Sequence, residues 1–369
     1  MIKKIKILYL ITGLKTGGAE IILKNLVKKL DKQKFDLVVV SITPIGEIGQ
    51  DMLKDGIKVL SLKVKRKWNF LMILRLSKII KQEKPIILHA HLFHANLLGR
   101  IINLFYKDII NISTIHSIDF GGNFREWLIK ITDRFCDTTV VVSQKVSDMM
   151  LKKKIVLKNK IKTIYNGVDL NFFYSQNNSK KHQNYPMLLS AGRLVQAKGY
   201  TFLIKAIKIL KTKYPKMLLT VLGEGEERKK LEQQIKSLNL EKNILLLGNK
   251  NNIIDYLKID SIFISSSLSE GLGMSIIEAM ACGLLTVATK VGGVPEIIED
   301  KKSGFLAEPG NVENLVNKID YVINLSKDKK QEISKNARQV VENKFSLKKM
   351  VENYEKLYEK LICDTSIIV

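Results

Sequence analysis

Two glutamates, Glu270 and Glu278, bracket a glycine-loosened run, Gly271-Leu272-Gly273-Met274-Ser275, that leads into a helical pattern. A helix start presents unpaired backbone N–H groups and a partial positive charge, which suits a phosphate. Carboxylates at either end of the run offer acceptors for hydroxyl groups on the same ligand. The combination reads as a site for a sugar nucleotide. The plainer alternative is a βα loop followed by a helix with a surface glutamate.

A second group could meet the same ligand. Gly192-Arg193-Leu194-Val195-Gln196-Ala197-Lys198-Gly199 follows an apolar run, and its two cations could embrace a diphosphate. Arginine would supply a fork of N–H donors and lysine a compact point charge. Near the N-terminus, Gly13-Leu14-Lys15-Thr16-Gly17-Gly18 resembles a phosphate loop but matches neither the dinucleotide nor the Walker pattern. Its tandem glycines allow close backbone approach, with a helix expected from Ala19; a tight βα turn would need the same residues. Gly223-Glu224-Gly225 could border a base or ribose, or simply make a turn, as Asn166-Gly167-Val168-Asp169 does.

Five histidines are present. Alternation puts His89 and His91 on one side of a strand, but no neighbouring carboxylate or cysteine completes a metal set, so strand-end polar contacts are expected. His116 ends another strand, where a neutral imidazole could contact a sugar hydroxyl; a structural histidine would look the same. The chain contains no Asp-x-Asp, the usual carboxylate pair for a metal-bridged diphosphate. Charge on a departing nucleotide would therefore fall to Arg193, Lys198 and helix dipoles.

The elements that must position these residues alternate. Ile5–Ile11 and Phe35–Ile42 read as buried parallel strands, and Ala19, Ile22, Leu23, Leu26, Val27 and Leu30 recur between them at helical spacing. Strands are expected at Ile86–His89, Ile110–Ile115, Thr138–Val142 and Ile161–Ile164, with helices at Phe70–Gln82, Ala95–Phe105 and Arg125–Phe135. The polar stretch Asn171–Tyr185 reads as a linker. Alternation then resumes: strands at Met187–Ala191, Met217–Leu222, Ile244–Leu247, Ser261–Ser265 and Leu285–Ala288, helices at Tyr200–Leu210, Glu226–Leu238 and Met274–Ala281. Ser346–Ile362 forms a last helix. The reading is α/β: a first doubly wound domain over 1–175, a second over 186–345, and a C-terminal helix over 346–369. Such domains, facing each other, would gather strand ends around a shared cleft.

Composition fits an enzyme of two domains: 369 residues, 46% hydrophobic, with no apolar run long enough to span a membrane. Ile5–Ile11 is too short for a signal peptide and reads as the first strand. Three scattered cysteines suggest neither disulfides nor a zinc cage, and point to a cytoplasmic protein. Net charge is +25, and uneven: through Ser179 there are 31 basic and 14 acidic residues, against 30 and 22 beyond. Such a field favours an anionic partner, although a lysine-rich codon bias would raise the total too. Lys63-Val64-Lys65-Arg66-Lys67-Trp68-Asn69-Phe70 mixes cations with aromatics as a membrane-surface contact would, or as a solvated basic loop.

As an ordered set, Gly17-Gly18-Ala19-Glu20, Thr114-Ile115-His116, Asn166-Gly167-Val168-Asp169, Gly192-Arg193-Leu194, Lys198-Gly199, Gly223-Glu224-Gly225, Ser269-Glu270-Gly271-Leu272-Gly273 and Glu278-Ala279 span nearly the whole chain. In this it resembles the glycosyltransferases of family 4, whose GT-B architecture has two Rossmann-like domains around a cleft and a C-terminal helix crossing back to the first. The resemblance implies transfer of a sugar from a nucleoside-diphosphate donor with retention of anomeric configuration, without a bound metal or cofactor. It assigns the ribose hydroxyls to Glu278, a sugar hydroxyl to Glu270 and the diphosphate to Arg193 and Lys198. Backbone N–H groups around Met274-Ser275 and Gly18 would assist, and His116 would lie near the transferred sugar. Gly17, Gly223, Glu224, Gly271, Leu272 and Gly273 complete the implied donor site. Leu272 stands where many relatives carry phenylalanine, a change of packing. A UDP-linked hexose or N-acetylhexosamine is the implied donor, and a glycan or polyprenyl-diphosphate-linked glycan the acceptor, held by the basic first domain, with an anionic membrane surface a candidate partner and the inner membrane face a candidate location.

Two other classes remain open on sequence. A nucleotide-sugar 2-epimerase would share donor recognition without a second substrate. A noncatalytic sugar-nucleotide sensor or a nucleic-acid binder is the other; against nucleic acid, the basic residues are spread over helix faces with no recognisable binding module.

Overall fold

Buried β-branched runs separated by amphipathic helices build two parallel sheets, each in its own unit, in the computed structural model of the chain. It describes residues 4–364 except 16, 65–70, 118–119, 175–184, 251 and 260. The first unit comprises residues up to Gly167 together with those from Leu347 onward; the second runs from Val168 to Ser346.

In the first unit the elements are β1 (Ile5–Ile11), α1 (Gly18–Lys29), β2 (Phe35–Ser41), α2 (Glu47–Lys54), β3 (Lys58–Ser61), α3 (Leu71–Glu83), β4 (Ile87–His91), α4 (Phe93–Ile102), β5 (Ile110–Ile115), α5 (Asn123–Thr132), β6 (Thr138–Val141), α6 (Gln144–Lys152) and β7 (Ile161–Thr163). The strands lie in the order β3-β2-β1-β4-β5-β6-β7 and pair in parallel. The order reverses between β1 and β4, the doubly wound pattern that leaves a crevice at the carboxyl ends of those strands. β1 and β4 are buried along nearly their whole length because helices cover both faces of the sheet. α1 shows the matching stripe, burying Ile22, Leu23, Leu26 and Val27 while Lys28 and Lys29 sit in its last turn.

The second unit contains β8 (Met187–Ala191), α7 (Tyr200–Lys213), β9 (Leu218–Leu222), α8 (Arg228–Ser237), β10 (Ile244–Leu246), α9 (Ile253–Leu257), β11 (Ile262–Ser265), α10 (Met274–Ala281), β12 (Thr286–Thr289), α11 (Val294–Ile297), β13 (Phe305–Ala307), α12 (Val312–Ile323) and α13 (Lys327–Lys344). Its order, β10-β9-β8-β11-β12-β13, reverses between β8 and β11. One apolar cluster, including Leu203, Ile207, Leu219, Val221, Ile264, Val287 and Ile319, joins α7, α12 and the sheet.

The last helix, α14 (Leu347–Asp364), belongs to the first unit. It buries Tyr354 and Tyr358 there. The Tyr358 hydroxyl meets the Tyr9 hydroxyl at 2.9 Å and His89 Nδ1 at 2.8 Å, and His89 Nε2 meets Thr114 Oγ1 at 2.7 Å. Lys34 pairs with Glu359 at the rim, 2.9 Å apart.

The chain leaves the first unit at Gly167, earlier than the expected end at 175, because Val168 already pairs with Ser346 and its N–H donates to Phe345 O at 2.9 Å. Most of the expected linker, and Lys65 to Phe70 of the basic aromatic segment, lie outside the described residues. α1 starts at Gly18 rather than Ala19, and α4 at Phe93 rather than Ala95. α2, β3, α6, α9, α11, β13, α12 and α13 were not anticipated. Most are short or strongly polar, so periodicity carries little signal, although Ser143 and Ser326 do supply N-caps to α6 and α13.

Candidate active site

In the second unit, the loops that follow β8 and β11 emerge side by side at the switch in strand order. Leu268 N donates to Ala197 O at 2.7 Å and Ser266 Oγ to Lys198 O at 3.1 Å, so the two loops are stitched together. Gly199 is required at this seam. Its φ is +63°, and a Cβ there would lie 2.1 Å from Ser266 O.

Across the seam Lys198 Nζ meets Glu270 Oε1 at 2.5 Å, and Ser267 Oγ donates to the same oxygen at 2.8 Å. Both side chains are largely buried, 21% and 11% exposed. Thr289 Oγ1 in turn donates to Ser267 O at 2.5 Å, tying the end of β12 to the loop. A fixed cation and a fixed carboxylate thus share one spot, each able to exchange its partner for a ligand group.

Gly273, at φ +103°, turns the chain into α10, whose first N–H groups have no intrahelical acceptor. Leu272 is buried as packing. Met274 and Ser275, both half-buried, begin the helix, and Gly271 O accepts from Gly293 N at 3.2 Å. One turn on, Glu278 is partly buried, and no hydrogen bond among the described residues engages its carboxylate. Desolvation pushes that carboxyl up to about 7, with the Lys198 charge pulling it back. The far end of α10 is anchored by α13: Ser334 Oγ donates to Gly283 O at 2.7 Å and Arg338 Nη1 to Ala281 O at 2.5 Å. Arg193 is exposed and has no ion pair among the described residues.

The turn after β9 packs closely against its neighbour. A Cβ on Gly223 would lie 2.0 Å from Gly192 O, and one on Gly225 would lie 2.2 Å from Leu194 O. These glycines let the β9 loop pack beneath the arginine loop, with Leu194 N donating to Glu224 O at 2.8 Å. The Glu224 carboxylate is held by Arg228 Nη1 at 2.5 Å.

The remaining sequence candidates lie in the first unit. A Cβ on Gly17 would meet Glu20 Oε2 at 2.3 Å, so the Glu20 carboxylate folds back over the start of α1; the space beside Gly18 is open. His116, just past β5, has Nε2 3.1 Å from His91 Nδ1. Burial pushes His116 down to about 4 and His89 to about 3, so the imidazoles are neutral near pH 7. His89 and His91 do share one side of β4, their rings 4.4 Å apart. Among the described residues no group of three His, Cys, Asp or Glu side chains is placed to hold a metal ion.

His116 lines a cavity of about 270 Å³ with Thr12, Phe93, Asn96, Phe120 and Arg125. Thr12 Oγ1 and Asn96 Oδ1 are buried without a hydrogen-bond partner. Arg125 lies over the Phe93 ring at 5.1 Å and donates to Phe120 O at 3.2 Å. Neutral imidazole and spare polar atoms beside the Arg125 cation suit hydroxyl groups. Sequence reasoning did not single out Ser267, Thr12, Asn96 or Arg125. Only Ser267, in Ser265-Ser266-Ser267 at a strand end, had a local signal.

The family model "Glycosyltransferase Family 4" matches residues 16–172, and "Glycosyl transferases group 1" matches residues 173–340. The chain is 26% identical to the UDP-Gal:alpha-D-GlcNAc-diphosphoundecaprenol alpha-1,3-galactosyltransferase of Escherichia coli, over 79% of both chains. It is also 26% identical to the N-acetyl-alpha-D-glucosaminyl L-malate synthase of Bacillus anthracis, over 79% of this chain and 78% of that one. Among solved structures, Anabaena HepE in complex with UDP and glucose superposes with a TM-score of 0.85 at 23% identity, over 96% of this chain and all of that one, a likeness of fold. The two matched models together run from residue 16 to residue 340, one on each parallel sheet, and the chain belongs to the family 4 glycosyltransferases of GT-B fold.

Proposed function

We propose that this glycosyltransferase moves a hexose or N-acetylhexosamine from a UDP-linked donor to a glycan or polyprenyl-diphosphate-linked glycan, with retention of configuration and without a metal. The observation that carries the reading is the Lys198–Glu270 pair, 2.5 Å apart where strand order reverses, beside the open start of α10 and the unpartnered Glu278. On binding, the diphosphate takes Lys198 and Arg193 as counter-charges and the first N–H groups of α10 as donors. Glu270, released from Lys198, accepts from a sugar hydroxyl, and Glu278 accepts from the ribose diol. Positive charge fixed where the leaving diphosphate develops its own charge lowers the barrier most. With no enzyme nucleophile assigned, departure and attack occur on one face through an oxocarbenium-like state, the leaving phosphate taking the acceptor's proton. His116 is assigned to the transferred sugar and the cavity around it, with Arg125 in its wall, to acceptor hydroxyls. The E. coli relative is named for a UDP-galactose donor and a diphosphoundecaprenol-linked acceptor, which supports these classes. No helix of the described residues is long and apolar enough to cross a membrane. In this reading the enzyme meets such an acceptor at the inner membrane face.

Turnover of a UDP-sugar panel with a lipid-linked glycan in EDTA, with the product's anomeric centre read by NMR, tests this. The reading expects a product of the donor's configuration. An inverted product would overturn retention, loss of turnover in EDTA would overturn the metal-free step, and an epimerised donor formed without acceptor would favour the epimerase.

A further inference from the structure

α5 carries an apolar face that nothing among the described residues of its unit covers. Phe124, Trp127 and Ile131 recur at helical spacing and are 69%, 52% and 42% exposed, while Ile129 on the opposite side is fully buried with Val141, Val146 and Met150. The rings of Phe124 and Trp127 stack, their centroids 5.8 Å apart. Isolated exposed apolar residues need no explanation, but a row of aromatics on one helix face does.

The α6–β7 connection runs alongside this helix. Lys153 Nζ meets Glu126 Oε2 at 2.6 Å near the start of α5. Leu157 N donates to Asp133 Oδ2 at 3.4 Å, and Lys160 Nζ to Asp133 O at 3.1 Å, at its end. The stretch that carries these anchors exposes Lys152, Lys153, Lys154 and Lys158, and presents Leu157, itself 61% exposed. α5 adds exposed Lys130, followed by exposed Arg134. The acids that face this strip are already engaged: Glu126 pairs with Lys153 and Asp133 is buried. Residues 123 to 160 hold nine basic and four acidic residues.

We propose that this face docks on an anionic lipid surface, Phe124, Trp127, Ile131 and Leu157 entering the headgroup layer while the flanking lysines meet lipid phosphates. Tryptophan and phenylalanine suit an interface that is apolar below and wet above, and lysine stems reach past them to the charged layer. Each cation near an anionic leaflet adds attraction that salt screens. The inference deepens the lipid-linked-acceptor reading by naming the surface that brings the first unit to the membrane.

Cosedimentation with vesicles of phosphatidylglycerol and phosphatidylcholine tests it, with UDP binding measured in parallel so that a failure here is separable from a failure of the donor reading. The full chain should bind anionic vesicles, release them with salt and ignore pure phosphatidylcholine. F124S/W127S should lose at least tenfold in vesicle affinity while binding UDP as before, and Leu74→Ser, an exposed apolar residue of α3, should change it less than twofold. In a Trp68→Phe background, Trp127 emission should shift to the blue on vesicles. Unchanged emission, equal binding of neutral vesicles, or full vesicle affinity in F124S/W127S would overturn the proposal. So would lipid-free self-association that F124S/W127S abolishes, which would make the occupant a second copy of the chain.

Discussion

Replacing Glu278 by glutamine should stabilise the protein, by a margin that grows as pH rises from about 4.5 to 7 and is full above it. The carboxyl is lifted from an ordinary 4.5 to about 7 because burial on α10 removes water that no protein donor replaces. Holding it ionised in the fold therefore costs about 3 kcal/mol, at roughly 1.4 kcal/mol per pKa unit. Below pH 4.5 both the folded and the unfolded carboxyl are protonated and the cost vanishes. Between 4.5 and 7 the unfolded chain ionises while the folded one keeps its proton, so stability falls as pH rises. Above 7 both are ionised and the full penalty stands. Glu278→Gln, which keeps shape and removes charge, should gain about 3 kcal/mol in urea denaturation at pH 8 and almost nothing at pH 4. The same carboxylate is what a ribose diol needs, so donor affinity should weaken about tenfold in the wild type from pH 8 to pH 6, tracking the ionised fraction of a group near 7. A stability held below its maximum by a functional charge is the expected trade. Equal stability of the two proteins at pH 8, or a gain independent of pH, would refute this account of Glu278.

Two further outcomes follow from packing. Gly199→Ala places a Cβ 2.1 Å from Ser266 O at φ +63° and should cost more than about 2 kcal/mol in urea denaturation, whereas Gly56→Ala, also at positive φ but with open space around it, should cost only about 1 kcal/mol; equal costs would remove the seam argument. Tyr358→Phe deletes the hydroxyl shared by Tyr9 and His89, leaving both buried groups short of a partner, and should destabilise by about 1–3 kcal/mol; no change would mean that α14 is held by apolar contact alone.

The architecture was legible where period and composition agree. β1, β5, β8 and α10 coincide with their expected bounds, since uninterrupted apolar runs and a glycine-led helix admit few alternatives. The short β13 and the lysine-rich α13 were not, because their identity comes from the neighbours they pack on. At the site, the family resemblance brought Lys198 and Glu270 into one hypothesis, and the two side chains form a direct ion pair. It could not show that Gly223 and Gly225 serve loop-on-loop packing, nor that Arg228 occupies Glu224, since both depend on residues brought close only by the turn. Arg100 was equally silent. Nothing in the sequence singles it out, and in α4 it is fully buried, donating to Ile129 O at 2.6 Å and to Ser113 and Thr139 hydroxyls at 3.2 Å.

The central claim is that the second unit binds a nucleoside diphosphate through its own cations and helix start. Calorimetry of UDP and GDP in EDTA, with wild type, Lys198→Met and Glu278→Ala, tests it most directly. The account predicts metal-free binding of UDP in preference to GDP, weakened by at least tenfold in each variant. Binding that required Mg²⁺, or that survived both substitutions unchanged, would contradict it.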